Sequence, residues 1–169
     1  MKLPKLIATD IDGVWTDGGM YYDQLGNEWK KFNTLDSAGV LFAKYMEIPV
    51  VIITGEDTAI VKRRAEKLKI EHLYMGVKNK LEVLQSICDS LDIHLDDVAY
   101  IGDDLNDMEV LQHVGFSSCP SSASFYIQEL CDHICKSRGG DGVFREFVEH
   151  IIGVEQLKKI VHNIKLNIQ

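Results

Sequence analysis

Three prolines and four cysteines are few for 169 residues, and no two of the cysteines stand in a CxxC pair. Cys88, Cys119, Cys131 and Cys135 therefore spell neither a redox motif nor a zinc ribbon. Reduced thiols in the cytoplasm are the expectation. Cys131, His133 and Cys135 would share one face of a strand, and Cys and His are zinc ligands. No fourth ligand is spaced nearby, so small buried thiols are the simpler reading. No apolar run approaches the roughly 18 residues of a membrane span. The N-terminal stretch meets acid at Asp10 before a signal-peptide apolar segment can form. Positive charge is also scarce. Against 26 Asp and Glu there are 18 Lys and Arg, a net charge of −8 that argues against general nucleic-acid binding. No linker, repeat or low-complexity segment interrupts the chain, so one domain spanning residues 1–169 is expected. A hydrophobic fraction of 46% suffices for its core.

What the chain does contain is a set of acidic strand ends. The apolar run Leu6-Ile7-Ala8 leads into Asp10-Ile11-Asp12-Gly13-Val14-Trp15-Thr16-Asp17-Gly18. Two carboxylates two residues apart, mounted at the end of a buried strand, converge on one spot. They repel unless a cation lies between them or one stays protonated, so a divalent metal fits the pair.

Short apolar runs recur at Leu6–Ala8, Val50–Ile53, Leu73–Met75, Val98–Ile101, Val114–Phe116 and around Ile134. Helical spacing lies between them. It predicts helices over Ser37–Glu47 with Asp36 as N-cap, over Thr58–Leu68 capped by Asp57, and over Asn79–Leu91. A last helical stretch runs over Gly142–Ile168 with a break at Gly153. Such alternation argues an α/β fold with a parallel central sheet covered on both faces, whose chemistry collects at the carboxyl ends of the strands. Residues 19–33 break the pattern. They read as a β-hairpin about Gly26-Asn27, rich in aromatics for a projecting ribbon, which marks an interface.

Four polar groups fall on one sheet edge in this reading. They are Asp10 with Asp12, then Thr54-Gly55 after Ile52-Ile53, then Lys80 at a helix start, then Gly102-Asp103-Asp104-Leu105-Asn106-Asp107. The inventory suits phosphoryl transfer. One carboxylate can attack phosphorus, a second can move the proton, a metal can offset the repulsion, and a hydroxyl, an ammonium and turn N–H groups can hold the oxygens.

These motifs, Asp-x-Asp-Gly-Val-x-Thr-Asp-Gly, Ile-Thr-Gly, a Lys and Gly-Asp-Asp-x-x-Asp, resemble the haloacid dehalogenase phosphatase superfamily over nearly the whole chain. The length, the hairpin and the lack of any cap domain resemble its small capless group, similar to the 3-deoxy-D-manno-octulosonate (KDO) 8-phosphate phosphatases. The tail Arg138-Gly139-Gly140-Asp141-Gly142-Val143-Phe144-Arg145-Glu146, at the head of a C-terminal portion of about 138–169, matches that group too. The resemblance implies a Rossmann-like three-layer sandwich and an aspartyl-phosphate mechanism with Mg2+. Asp10 would be nucleophile and metal ligand. Asp12 would be general acid/base, its backbone carbonyl on the metal, and Asp103 would complete the ligands. Thr54, Gly55, Lys80 and Asn106 would hold the phosphoryl group. Asp107 would position Lys80 or a metal-bound water, and Asp104 receives no role.

Departures from the KDO-type pattern bear on substrate. That group reads Ile-Thr-Gly-Arg where this chain has Glu56, and Gly-Gly-Arg-Gly where this chain has Asp141. It also lacks a match to Lys67. All three differences resemble the clade acting on 2-keto-3-deoxy-D-glycero-D-galacto-nononate (KDN) 9-phosphate, a sialic-acid-like substrate. Glu56 can accept from sugar hydroxyls, while Arg64 and Lys67, neighbours on one helix, can pair with the ketoacid carboxylate. Asn33, Thr34 and Ser37 follow the hairpin and could reach the same pocket. KDO 8-phosphate and N-acetylneuraminate 9-phosphate are the alternative substrates. The resemblance further implies a homotetramer whose neighbouring subunits close an open pocket, with the hairpin and Gly139–Gly142 as the natural pieces. Outside this class stand a phosphoacceptor signalling module, which has no counterpart of Asp12, and a non-catalytic scaffold, which would not need Asp10, Asp12, Lys80 and Asp103 together.

Overall fold

Residues 2–168 are described by the structure, a computed structural model; Met1 and Gln169 lie outside the described residues. In chain order the elements are β1 (Leu6–Thr9), β2 (Tyr21–Tyr22), β3 (Glu28–Trp29), α1 (Asp36–Tyr45), β4 (Val50–Ile53), α2 (Ala59–Leu68), β5 (His72–Tyr74) and α3 (Lys80–Leu91). They continue with β6 (Val98–Ile101), α4 (Met108–His113), β7 (Phe116–Cys119), α5 (Phe125–Gln128), β8 (His133–Ile134), α6 (Val143–Ile152) and α7 (Val154–Ile168). Six strands pair in the order β5-β4-β1-β6-β7-β8, all in parallel.

The strands at the centre are apolar, but for Thr9 at the end of β1, because both faces are covered. Ile7, Val50, Ile52, Ala99 and Ile101 belong to the core under α1, α2, α6 and α7. Leu6, Ala8, Val51, Ile53, Val98 and Tyr100 belong to the core under α3, α4 and α5. This period of two along each strand yields the expected three layers. The chain leaves β1 toward β4 on one side and returns as β6 on the other. The carboxyl end of β1 is therefore the switch point where such sheets place their sites. The register sets Thr9 opposite both Ile52 and Ile101, so the residues after these three strands emerge at one level.

Several local expectations shift. Val114 is not in a strand: it terminates α4, and the strand starts at Phe116. Asp36 does not cap α1; it lies inside the first turn, and its carboxylate accepts the Arg145 N–H in the first turn of α6 instead. Helix α2 starts after Thr58 with no side-chain cap, so Asp57 does not serve it. Asn79 does cap α3, accepting from the Glu82 N–H at 3.1 Å. Helices α4 and α5 are too short to show a period in the sequence. The C-terminal stretch does break at Gly153.

The hairpin forms as expected, with Tyr21 opposite Trp29. Asp23 organises its turn by accepting from the N–H groups of Leu25 and Asn27 and from the Asn27 amide. Its aromatics are not folded inward. Tyr22 and Trp29 are about 60% exposed, and Leu25 at the tip is 89% exposed. One bridge, Thr16 with Phe32, ties the base of the ribbon to the turn after β1.

Candidate active site

Beyond Thr9 the chain turns sharply, with the Ile11 carbonyl accepting from the N–H groups of Val14, Trp15 and Thr16. Thr9 braces this turn from below: its hydroxyl donates to the Asp10 carbonyl and accepts from the Trp15 indole N–H at 3.0 Å. Trp15 is fully buried and stacks on Phe144 of α6 with centroids 4.4 Å apart. The turn is closed from behind by the tail. Gly140 N–H donates to the Val14 carbonyl at 2.9 Å, and Gly139 lies so close that a Cβ there would come 1.9 Å from the Gly13 carbonyl oxygen. The tail thus supports the site of its own protomer.

The strand ends meet in an open cleft of about 240 Å3, whose lining includes Asp10, Asp12, Thr54, Gly55, Asp103 and Asn106. Glu56 lies on its rim. A larger groove of about 380 Å3, between Val40 on α1 and His72 on β5, contains none of these groups. At the floor is a buried polar cluster. Lys80 Nζ lies 2.9 Å from Asp10 Oδ1 and 2.7 Å from Asp107 Oδ1, with the lysine side chain fully enclosed. Tyr100 donates its hydroxyl to the same Asp107 oxygen, and the N–H groups of Asp103 and Asp104 share Asp107 Oδ2. Asp107 is therefore the anchor that holds Lys80 against Asp10. Burial alone would lower the Lys80 pKa, but the Asp10 and Asp107 carboxylates override it and raise it above its ordinary value.

Lys80 offsets only part of the cost of burying the carboxylates at the floor of the cleft. Burial, with Asp107 behind it, pushes the Asp10 carboxyl up to about 7. Burial and the neighbouring Asp10, Asp107 and Asp104 push Asp103 up to about 8. Asp103 Oδ1 is buried with no hydrogen-bond partner. Oxygens of Asp10, Asp103 and Asp107 lie within 4.8 Å of one another. Asp107 is committed to Lys80, Tyr100 and two backbone N–H groups, which leaves Asp10 and Asp103 as the pair open to a hard divalent cation. The donor set is all oxygen, as magnesium requires.

Asp12 stands apart from this floor. Both of its oxygens lie 2.7 Å from Lys30 Nζ, and Thr16 donates to Oδ1 at 3.1 Å. Thr16 stands in the first motif without a role assigned, and Lys30 and Tyr100 are site residues that sequence reasoning does not single out. Tyr100 is hidden in an apolar strand, and Lys30 among the charges of the hairpin.

The proposed substrate residues are placed unevenly. Of the six, Glu56 alone lines the cleft. Arg64 donates to the Asn33 carbonyl and to the Ser37 hydroxyl at 2.9 and 3.2 Å, and its guanidinium sits over the Phe32 ring. It thereby fastens α2 to the hairpin exit. Asn33 donates to the Gly140 carbonyl. Thr34 and Lys67 are exposed. Within one protomer none of these five residues lines the cleft. The cysteines follow the simpler reading in part. Cys131 hydrogen-bonds to the Ile127 carbonyl, away from His133. His133, Cys135 and Glu146 do bring ligand atoms within 4.8 Å, but both Glu146 oxygens accept backbone N–H groups, from Lys136 and Ser137.

Comparison with known proteins agrees with this geometry. Residues 70–147 match the haloacid dehalogenase-like hydrolase family. A 3-deoxy-D-manno-octulosonate 8-phosphate phosphatase, KdsC of Escherichia coli, is 36% identical over 148 residues, covering 88% of this chain and 79% of the relative. A probable YrbI family phosphatase of Pseudomonas syringae pv. phaseolica superposes with a TM-score of 0.92 at 39% identity, over 98% of this chain and 94% of that one. The Moraxella catarrhalis 3-deoxy-D-manno-octulosonate 8-phosphate phosphatase, solved with magnesium, phosphate and KDO, superposes at 0.89 with 34% identity, over 96% and 92%.

Proposed function

The chain belongs to the haloacid dehalogenase-like hydrolases as a phosphatase of the KdsC type, and from that premise we propose that it removes the terminal phosphate of a 2-keto-3-deoxy sugar acid, KDN 9-phosphate. It is a phosphoric monoester hydrolase with Mg2+ as cofactor. We further read the chain as one domain acting in the cytoplasm, as a homotetramer in which a second copy covers the exposed hairpin aromatics.

In this reading Asp10 Oδ attacks phosphorus in line with the sugar oxygen. The phosphorus–oxygen bond to the sugar breaks, and the departing oxygen takes a proton from Asp12. Water then attacks the aspartyl-phosphate, gives its proton to Asp12, and frees Asp10 with inorganic phosphate. Thr54, Gly55, Lys80 and Asn106 hold the non-reacting oxygens, and Asp107 keeps Lys80 in place. Asp10, Asp103 and the Asp12 carbonyl would hold the magnesium, which would offset the repulsion between carboxylate and phosphate. Lys80 already faces Asp10 at 2.9 Å, so a phosphoryl group arriving there meets a fixed cation.

The observation that carries the substrate is Glu56 on the cleft rim, in the position where the resemblance expects an arginine for KDO-type enzymes. A carboxylate there accepts from hydroxyls of a longer polyol chain. The exposed Lys67, with the half-buried Arg64 three residues before it on α2, would supply cations for the ketoacid carboxylate of a neighbouring subunit. A second reading, KDO 8-phosphate, is favoured by the substrate named for the E. coli and M. catarrhalis relatives. Side-by-side kcat/KM on KDN 9-phosphate, N-acetylneuraminate 9-phosphate and KDO 8-phosphate separates the readings. KDN 9-phosphate should lead by 10-fold or more, on the order of two or three lost polar contacts. Glu56→Ala should lower that lead while leaving p-nitrophenyl phosphate turnover nearly unchanged. A lead for KDO 8-phosphate replaces the first reading with the second. Asp10→Asn should abolish turnover of all three without unfolding the chain.

A further inference from the structure

The hairpin reaches the catalytic machinery through one side chain. Lys30 leaves β3 and turns inward, so that its side chain is only 2% exposed although the ribbon around it is open to solvent. Its ammonium lies 2.7 Å from both oxygens of Asp12 and 3.8 Å from Glu28 Oε1. Burying a lysine needs a compensating partner, and Asp12 is the near one. The contact is bidentate, so it fixes the rotation of the carboxylate as well as its position. Thr16 also donates to Asp12 Oδ1, and its backbone bridges Phe32, two residues beyond Lys30. Asp12 is thus held in a frame built half from the turn after β1 and half from the hairpin.

We propose that Lys30 is the positioning residue for Asp12, aiming the acid/base carboxylate so that the hairpin sets the proton-transfer geometry. This rests on the phosphatase reading of the site. Lys30 touches neither phosphate nor metal in this assignment; it acts through Asp12 alone. Because displacement of a catalytic group by about 1 Å can cost on the order of 100-fold, a loose Asp12 is a serious defect even with all other groups in place.

The defect has a signature. A sugar alkoxide leaves poorly and needs the Asp12 proton, whereas p-nitrophenolate leaves without one. Lys30→Met, which keeps the apolar stem, should lower kcat/KM for the best of the three sugar-acid phosphates by roughly 10- to 100-fold and for p-nitrophenyl phosphate by less than about 3-fold. Lys30→Arg should recover most of the loss. In an Asp12→Asn background Lys30→Met should cost nothing further. Equal losses on both esters, no rescue by arginine, or no loss at all overturns the assignment while the wild type still turns over both. A wild type inert toward both esters overturns the phosphatase reading, and the assignment with it.

Discussion

A methyl group added at Gly13 would put a carbon 1.9 Å from Asp103 Oδ2, at a backbone φ of +83° that side chains rarely adopt. The position is glycine because the turn carrying Asp12 must pass against the Asp103 carboxylate, the proposed metal ligand. Gly13→Ala should therefore displace Asp103, raising the Mg2+ concentration for half-maximal activity by 10-fold or more. Activity titrated against Mg2+ measures this, and an unchanged midpoint would show that Asp103 does not serve the metal. At this scale much of the site was legible in the sequence. Asp10, Thr54, Lys80 and Asp103 follow strands or open a helix, and a parallel sheet sends all such ends to one edge. Lys30 was not legible, because its inward turn depends on how the hairpin folds back, which local spacing does not encode.

Between elements, the informative group is Asp36. It is fully buried, caps α6 across 109 residues of sequence, and has one oxygen with no partner. Burial pushes its carboxyl up to about 6 from 3.8, against the opposing pull of the Arg145 N–H and the Arg64 charge. A raised carboxyl means the native state holds the proton more tightly than the unfolded chain. Its contribution to stability is thus full below about pH 3.8 and is lost as pH rises through 6, at most about 3 kcal/mol. Asp36→Asn keeps an acceptor for Arg145 and removes the titration. Its stability relative to wild type, from urea unfolding, should rise between pH 4 and pH 7; parallel curves would mean that Asp36 is ionised throughout. The sequence suggested Asp36 as the cap of its own helix. A side chain beside a helix start looks the same whether it serves that helix or another packed on it, and only tertiary contact decides. The Val114 shift has a similar cause, since an apolar helix end and a strand start read alike.

For the whole molecule, a cation that binds the native carboxylates and not the unfolded chain must stabilise the fold. Mg2+ at about 100 times its Kd should add about 2.7 kcal/mol, several degrees in Tm for a chain of this size, and Asp103→Asn should abolish the gain. Thermal unfolding with and without Mg2+ tests this independently of any substrate; an equal gain in the variant would place the ion elsewhere. The three-layer architecture was legible in the alternation of apolar strands and amphipathic helices, whereas the assembly of copies was not, because exposed aromatics such as Trp29 show a surface and not its partner. The seating of Gly139 and Gly140 on the turn that bears Asp12 has a consequence for biosynthesis. In the chain the proposed nucleophile Asp10 precedes Gly139 and Gly140 by more than a hundred residues, so synthesis delivers the carboxylate long before the wall behind it. A fragment that stops short of Gly139 should therefore be silent in a phosphatase assay although it holds every proposed catalytic side chain.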